Sequence, residues 1–214
     1  MIRHPTGRPI VPSPLRLYGK RVMLRPLTPE DFGSWREVRR RNEAWLTPWE
    51  PLRPLPQFDP TSNRGAFGSR CAARERDAAS GTSYGFGLFA ERRFCGEVNL
   101  NNVLRGAIQT GTVGYWIDQR MAGRGLVAEG VVVLAEFAFE TLRLHRLEIC
   151  IVPGNHNSRR VMEKLAIREE GIAQRLVEIN GVWEDHLRYG FTVEEWEARA
   201  DELRREWLTP GRHD

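Results

Sequence analysis

The segment that most restricts what this chain can become is residues 110–142. Here a strand-like run, 110–117, passes through Asp118-Gln119-Arg120-Met121-Ala122-Gly123-Arg124-Gly125 into the clearest helical pattern of the sequence, 125–142. Leu126, Val133, Leu134, Phe137 and Leu142 can form an apolar face on that helix. The connection reads Arg-x-x-Gly-x-Gly. Its glycines let the backbone turn tightly and aim several N–H groups at one point, and the helix start adds the positive end of its dipole. Together these make an anion cradle suited to a pyrophosphate. Taken alone, the same glycines could be a bare turn into a helix. Two other phosphate motifs are excluded. No Lys-Ser or Lys-Thr follows, as a P-loop needs, and Gly125 runs into Leu126-Val127-Ala128 where a dinucleotide fingerprint needs a further glycine.

The rest of the chain supplies a sheet for that unit. Residues 1–16 are expected to be a flexible leader, and 18–27 alternates as a first strand. Thr28-Pro29-Glu30-Asp31 is a helix start, with Thr as cap, Pro in the first position and acids in the first turn. That helix should run to about Asn42. Residues 45–60 hold five prolines and two tryptophans, too many prolines for a helix or central strand. A second helix is expected over 61–79 and strands over 83–90, 95–103 and 110–117. After the long helix come a buried-type strand, 146–152, a loop and a short helix, 158–165. Two strands then flank Asn180-Gly181, a strong hairpin signal. A helical tail occupies 193–214. The pattern predicts one domain of the α/β (α+β) class, a mixed sheet of about seven strands with helices on both faces.

The 214 residues carry a net charge of +4, almost all of the positive side being arginine, since Lys20 and Lys164 are the only lysines. With 28 acids against 32 bases and no long basic run, that balance fits arginine usage better than a dedicated polyanion partner, and no specific nucleic acid is expected. No run of about 18 apolar residues is present to span a membrane, and the Pro- and Arg-rich N-terminus lacks the apolar segment of a secretory signal. Cys71, Cys95 and Cys150 are odd in number and far apart, which argues against a disulfide framework or metal site and suits a reducing cytoplasm.

Six segments, in order, resemble the RimJ/RimL type of GNAT N-acetyltransferases, RimJ above all. They are Asn102-Val103-Leu104-Arg105-Gly106, Gly114-Tyr115-Trp116-Ile117, Gly123-Arg124-Gly125-Leu126, His145-Arg146, Asn155-x-x-Ser158 and Asn180-Gly181-Val182-Trp183-Glu184-Asp185-His186. Pro48-Trp49-Glu50-Pro51 resembles a further RimJ element. The resemblance covers about 17–192 and implies a GNAT fold, mostly antiparallel, using acetyl-CoA as cosubstrate and no metal. It implies a strand splayed from its neighbour at Trp116 and Ile117, with backbone groups free for the pantetheine amides. Arg120, Met121, Ala122, Gly123, Arg124, Gly125 and Leu126 would hold the pyrophosphate. Asn155 would bond the pantetheine arm, with Ser158 near the sulfur, although Ser158 could equally be a helix cap. Trp49, Glu50, Asn102 and Arg105 would meet the acceptor.

The implied chemistry is attack of an amine on the thioester carbonyl, with an oxyanion to stabilise and a thiolate to protonate, a task for Ser158. An α-amine, with pKa near 7.7–8.0, is about a tenth neutral at pH 7, so only a weak base is needed. Glu50, Glu97, Glu178 and Asp185 are candidates for it, Glu50 and Asp185 leading because they match acids in the RimJ pattern. His145, His156 and His186 read as packing or loop histidines, and Cys150 as a small core residue. No Cys–His or Ser–His pairing suggests a covalent acetyl-enzyme. The expected acceptor is the N-terminus of a protein or peptide, such as a ribosomal protein. An aminoglycoside-like amine is the alternative, and a CoA-binding ribosome- or nucleic-acid-associated protein a second one. Monomer and homodimer are both compatible with the sequence.

Overall fold

A computed structural model describes residues 15–51 and 59–208. The leader expected over 1–16 therefore lies, but for its last two residues, outside the described residues, as do 52–58 of the proline-rich segment and the last six residues of the tail. The described residues form one eight-stranded sheet, in the order β1 (Leu17–Tyr18), β2 (Val22–Arg25), β3 (Tyr84–Ala90), β4 (Arg93–Leu104), β5 (Thr110–Ile117), β6 (Arg146–Ile151), β8 (Val182–Thr192) and β7 (Arg168–Ile179). Every neighbouring pair is antiparallel except β5 with β6. The strand expected over 18–27 is in fact the β1–β2 hairpin, which raises the count from seven to eight. Gly19 makes that turn, and a Cβ there would lie 2.6 Å from the Glu129 carboxylate.

Helices cover both faces. α1 (Phe32–Arg41) follows a 3₁₀ turn at Pro29–Asp31 that Thr28 and Asp31 close with a capping box. The proline-rich segment is not free of helix, as the sequence suggested: α2 (Glu43–Leu46) continues into a 3₁₀ turn at Thr47–Trp49. Pro48 is tolerated because it sits in the first turn, where its missing N–H has no helical partner to lose. α3 (Arg64–Ser80) is capped by Asn63, whose side chain accepts from the Ala66 amide at 2.9 Å. α4 (Leu126–Glu136) ends in a π-helical turn at Phe137–Thr141. It is buried all round rather than along one stripe, lying between the sheet and the helices α5 (His156–Lys164) and α6 (Val193–Trp207). Gly130 permits its close approach, since a Cβ there would meet Val98 at 3.1 Å.

Two hydrophobic clusters result, one on each side of the sheet. The larger joins α4, α5 and α6 to the sheet through Leu88, Val98, Leu134, Leu147, Met162 and Trp196. The smaller, Trp35, Val38, Phe67, Cys71, Phe89 and Phe94, packs α1 and α3 on the opposite face. α6 is thus part of the core: Trp196 is fully buried, and Thr192 and Glu195 form the capping box that starts the helix.

Candidate functional site

The site begins as a failure of strand pairing. β5 and β6 share register only from Thr110↔Arg146 to Thr112↔Glu148. Beyond that point each stays with its outer neighbour: β5 follows β4 to the Gly96↔Ile117 pair, and β6 follows β8 to Ile151↔Leu187. The gap opens into a cleft of about 700 Å³ that reaches both faces of the sheet. Strand alternation assigns the two sides. Tyr115 and Ile117 pack towards the α4 core, whereas Trp116 packs towards the α1–α3 cluster.

The α4 side carries the glycine loop. Asp118, buried at the end of β5, accepts from the Arg120 amide at 3.3 Å and from Asn42 Nδ2 at 2.9 Å, and forms an ion pair with Arg41. Burial would raise its carboxyl, but those donors hold it below the ordinary aspartate range. Asn42 also accepts from the Gln119 amide at 2.9 Å, so α1 fixes the start of the loop. Gly123 and Gly125 then adopt left-handed conformations, with φ of 75° and 78°. α3, α5 and α6 begin under capping side chains, whereas α4, like α1 and α2, has no side-chain cap and begins at Gly125. Its first-turn N–H groups, which have no intrahelical partners, belong to Leu126, Val127 and Ala128 on the cleft wall. An uncapped helix start behind a left-handed glycine turn suits an anion. Glu129, also buried, ties this turn to the β1–β2 hairpin by accepting from the Val22 amide at 3.0 Å and Arg21 Nε at 2.8 Å.

Across the cleft, α5 starts at His156, two residues earlier than expected, and its cap is Asn155. Asn155 Oδ1 accepts from the Ser158 amide at 3.1 Å, so Ser158 is in the first turn and is not the cap. The Ser158 carbonyl accepts from the Tyr115 hydroxyl at 3.2 Å, a partly buried phenol whose pKa is pushed up by loss of water. This leaves the Ser158 hydroxyl without a capping duty on the cleft wall.

The α1 side is lined by Trp45, Trp49, Glu50, Cys150, His186 and Asn99. The Glu50 carboxylate takes both ends of the Arg39 guanidinium, at 2.6 and 2.7 Å, and Arg39 lies 5.0 Å over the Trp116 ring. Trp45 Nε1 donates to the Ile117 carbonyl at 3.2 Å, so that backbone oxygen is not free, contrary to expectation. Cys150 is half-buried on the cleft wall rather than in the core.

Of the residues singled out from sequence, the structure brings Trp49, Glu50, Trp116, Ile117, Met121, Ala122, Gly123, Gly125, Leu126, Asn155 and Ser158 to this cleft. Others are elsewhere. The Arg124 side chain turns outward to Glu91 at 2.7 Å, and Arg120 is exposed at the loop's outer edge. Asn102 sits at a bulge with φ of 49°, and Arg105 donates to the Leu142 carbonyl at 2.6 Å. Both are absent from the cleft lining because β4 runs past it before reaching them. Asp185 is exposed and accepts from the Arg175 amide at 2.8 Å, satisfying the β7 bulge; strand alternation turns it away from the side on which His186 meets the cleft. Glu178 is exposed on β7, and His145 pairs with Glu194 at 3.0 Å. Glu97 is sealed beneath the α1 side by Trp35, Arg70 and Arg74. Burial alone would raise its carboxyl, but the two guanidinium groups hold it below the usual carboxylate range.

Sequence reasoning missed Tyr115, Arg160 and Lys164 as cleft residues and undervalued His186. The helical period from Asn157 through Arg160 and Val161 to Lys164 places them on one face, which was legible once α5 was put against the glycine loop. Among the described residues no cluster of three or more metal-ligating side chains occurs, and no helix is long and apolar enough to cross a membrane.

Comparison with known proteins agrees with this architecture. The GNAT acetyltransferase domain family matches residues 21–168. YjcK of Bacillus subtilis (strain 168), named a probable N-acetyltransferase, is 34% identical over 172 residues, 79% of this chain and 93% of that protein. The [ribosomal protein uS5]-alanine N-acetyltransferase of Escherichia coli (strain K12) is 28% identical over 184 residues, 85% of this chain and 93% of its own. Among solved structures, Mycobacterium smegmatis RimJ in complex with CoA-disulfide superposes with a TM-score of 0.83 at 28% identity, over 91% of this chain and 95% of that one. A split sheet with an uncapped, glycine-led helix in the split is thus joined to a family match over most of the chain, and the protein belongs to the GNAT acetyltransferases, as an acetyl-CoA-dependent N-acetyltransferase related to those that modify ribosomal proteins.

Proposed function

We propose that the protein transfers the acetyl group to the N-terminal α-amine of a protein or peptide, by direct attack in a ternary complex. The observation that supports this is the two-sided cleft where β5 and β6 part; in this reading the donor enters on the α4–α5 side and the acceptor on the α1 side. On the donor side, backbone amides from Gly123 to Ala128 hold the pyrophosphate and Asn155 Nδ2 bonds the pantetheine arm. The amine nitrogen attacks the thioester carbonyl, a backbone N–H at the open edge of β5 stabilises the oxyanion, and the C–S bond breaks as Ser158 Oγ gives its proton to the sulfur. The amine's proton leaves through water. Glu50, with both oxygens engaged by Arg39, acts as an attractor for the ammonium and not as the base.

An acceptor of this kind also suits the α1 wall. The 3₁₀ turn at Thr47–Trp49 is stiffened by Pro48 and tied to the β7–β8 hairpin, since Asn180 Nδ2 donates to the Thr47 carbonyl at 2.8 Å. A wall so fixed would suit a free N-terminus with a small first residue, such as Ala or Ser. The ribosomal-protein-alanine acetyltransferase among the relatives supports a ribosomal protein as acceptor, and with it a cytoplasmic site of action. Incubation with labelled acetyl-CoA and a panel of N-terminal peptides and aminoglycosides, followed by mass spectrometry, tests the reading. Acetyl groups are expected on α-amines. Finding them on lysine side chains or aminoglycosides, with the N-termini untouched, would overturn it.

A further inference from the structure

One helix of the cleft carries charge that neither the fold nor the pyrophosphate cradle accounts for. α5 runs along the donor side, from Asn155 and Ser158 at the reacting end to Lys164 beside the glycine loop. A Cβ on Gly125 would lie 3.4 Å from Lys164 Nζ and 3.4 Å from Arg21 Nη2, so two cations stand close to the turn. Arg21 is neutralised by Glu129 at 2.8 Å. Lys164 and Arg160 both line the cleft, and among the described residues neither has a carboxylate within ion-pair distance. They stand at i and i+4 on one helix face, where like charges oppose helix formation. Lys164 is steadied from below by the Trp207 ring, 5.4 Å away.

The nine residues of α5 span about 13 Å at about 1.5 Å per residue. A donor whose thioester lies by Ser158 and whose pyrophosphate lies at Gly123 and Gly125 therefore presents its nucleotide end to the last turn of α5. The backbone amides of the loop serve the diphosphate, and CoA has one phosphate more. We propose that Arg160 and Lys164 form a binding site for the 3′-phosphate of CoA, so that the protein discriminates CoA from 3′-dephospho-CoA. This rests on the assignment of the donor to the α4–α5 side of the cleft.

Calorimetric titration of the full chain with CoA and with 3′-dephospho-CoA tests the site without any acceptor. Arg160→Gln, Lys164→Gln and the double variant keep good helix formers at both positions. The wild type should prefer CoA by roughly tenfold to a hundredfold, the range for charge-assisted bonds at a partly solvated site. The double variant should lose that preference while binding 3′-dephospho-CoA as the wild type does. Equal affinity of the wild type for the two ligands would overturn the site and leave the donor assignment standing, as would an equal loss of both ligands in the variants. Binding of neither ligand to the wild type would overturn both.

Discussion

Gly123→Glu separates a phosphate cradle from a mere turn. At Gly123 the backbone has φ of 75°, and a Cβ would meet nothing within 4 Å. A side chain there is therefore strained by the backbone alone, at about 1–2 kcal/mol for a left-handed residue. Gly123→Ala should show that strain as a lowering of the melting midpoint by about 2–8 °C in a chain of this size. Glu adds a charge to the same strain. At about 5 Å from a phosphate, and with an effective dielectric between about 20 and 80, the repulsion is about 1–3 kcal/mol per charge pair. CoA affinity should then fall by roughly tenfold to a hundredfold, and less at high salt, since screening acts over about 8 Å at 0.15 M. Calorimetry on the two folded variants gives the answer. The Ala variant should bind CoA nearly as the wild type does. Undiminished CoA binding by the Glu variant, or an equal loss in the Ala variant, would refute the reasoning.

Three further outcomes are expected. Ser158→Ala leaves the backbone bonds to Asn155 and Tyr115 intact, so acetyl-CoA affinity should hold while kcat falls on the order of tenfold to a thousandfold; an unchanged kcat with chemistry rate-limiting would remove Ser158 from the proton path. Glu50→Gln weakens the pair with Arg39 and should raise the peptide KM or lower kcat without touching CoA binding by calorimetry; loss of CoA binding would show that Glu50 shapes the whole cleft. Glu97 has a depressed carboxyl pKa, so its stabilisation is complete above the ordinary glutamate value, about 4.3, and is lost as pH falls below it. Thermal melts from pH 7 to 3 should show a shallower acid loss in Glu97→Gln, which at neutral pH should be destabilised by about 3 kcal/mol for a broken buried pair; parallel acid limbs in the two proteins would contradict this.

How far the sequence reaches is visible in particular elements. Strand and helix over 110–136, the hairpin at Asn180-Gly181 and the start of α6 were legible because local rules decide them: a period of two, glycines where φ is positive, and caps at fixed offsets. The same locality brought the glycine loop and Asn155-x-x-Ser158 to the cleft. It failed where a residue's neighbours lie far off in the chain. Asp185 and Arg105 belong to segments that resemble a known pattern, but one satisfies a bulge in β7 and the other the end of a helix 37 residues away. The pairing of Glu50 with Arg39 and the sealing of Glu97 under two arginines depend on how α1 packs against β4 and α3 against β3, which no spacing along the chain encodes. The cleft itself is of this kind. Each of β5 and β6 reads as an ordinary strand, and only competition between their outer partners, β4 and β8, pulls them apart beyond Thr112. Local propensity sets which segments become strands and turns; which edges stay unpaired, and so where a substrate can enter, is set by the packing of the whole sheet.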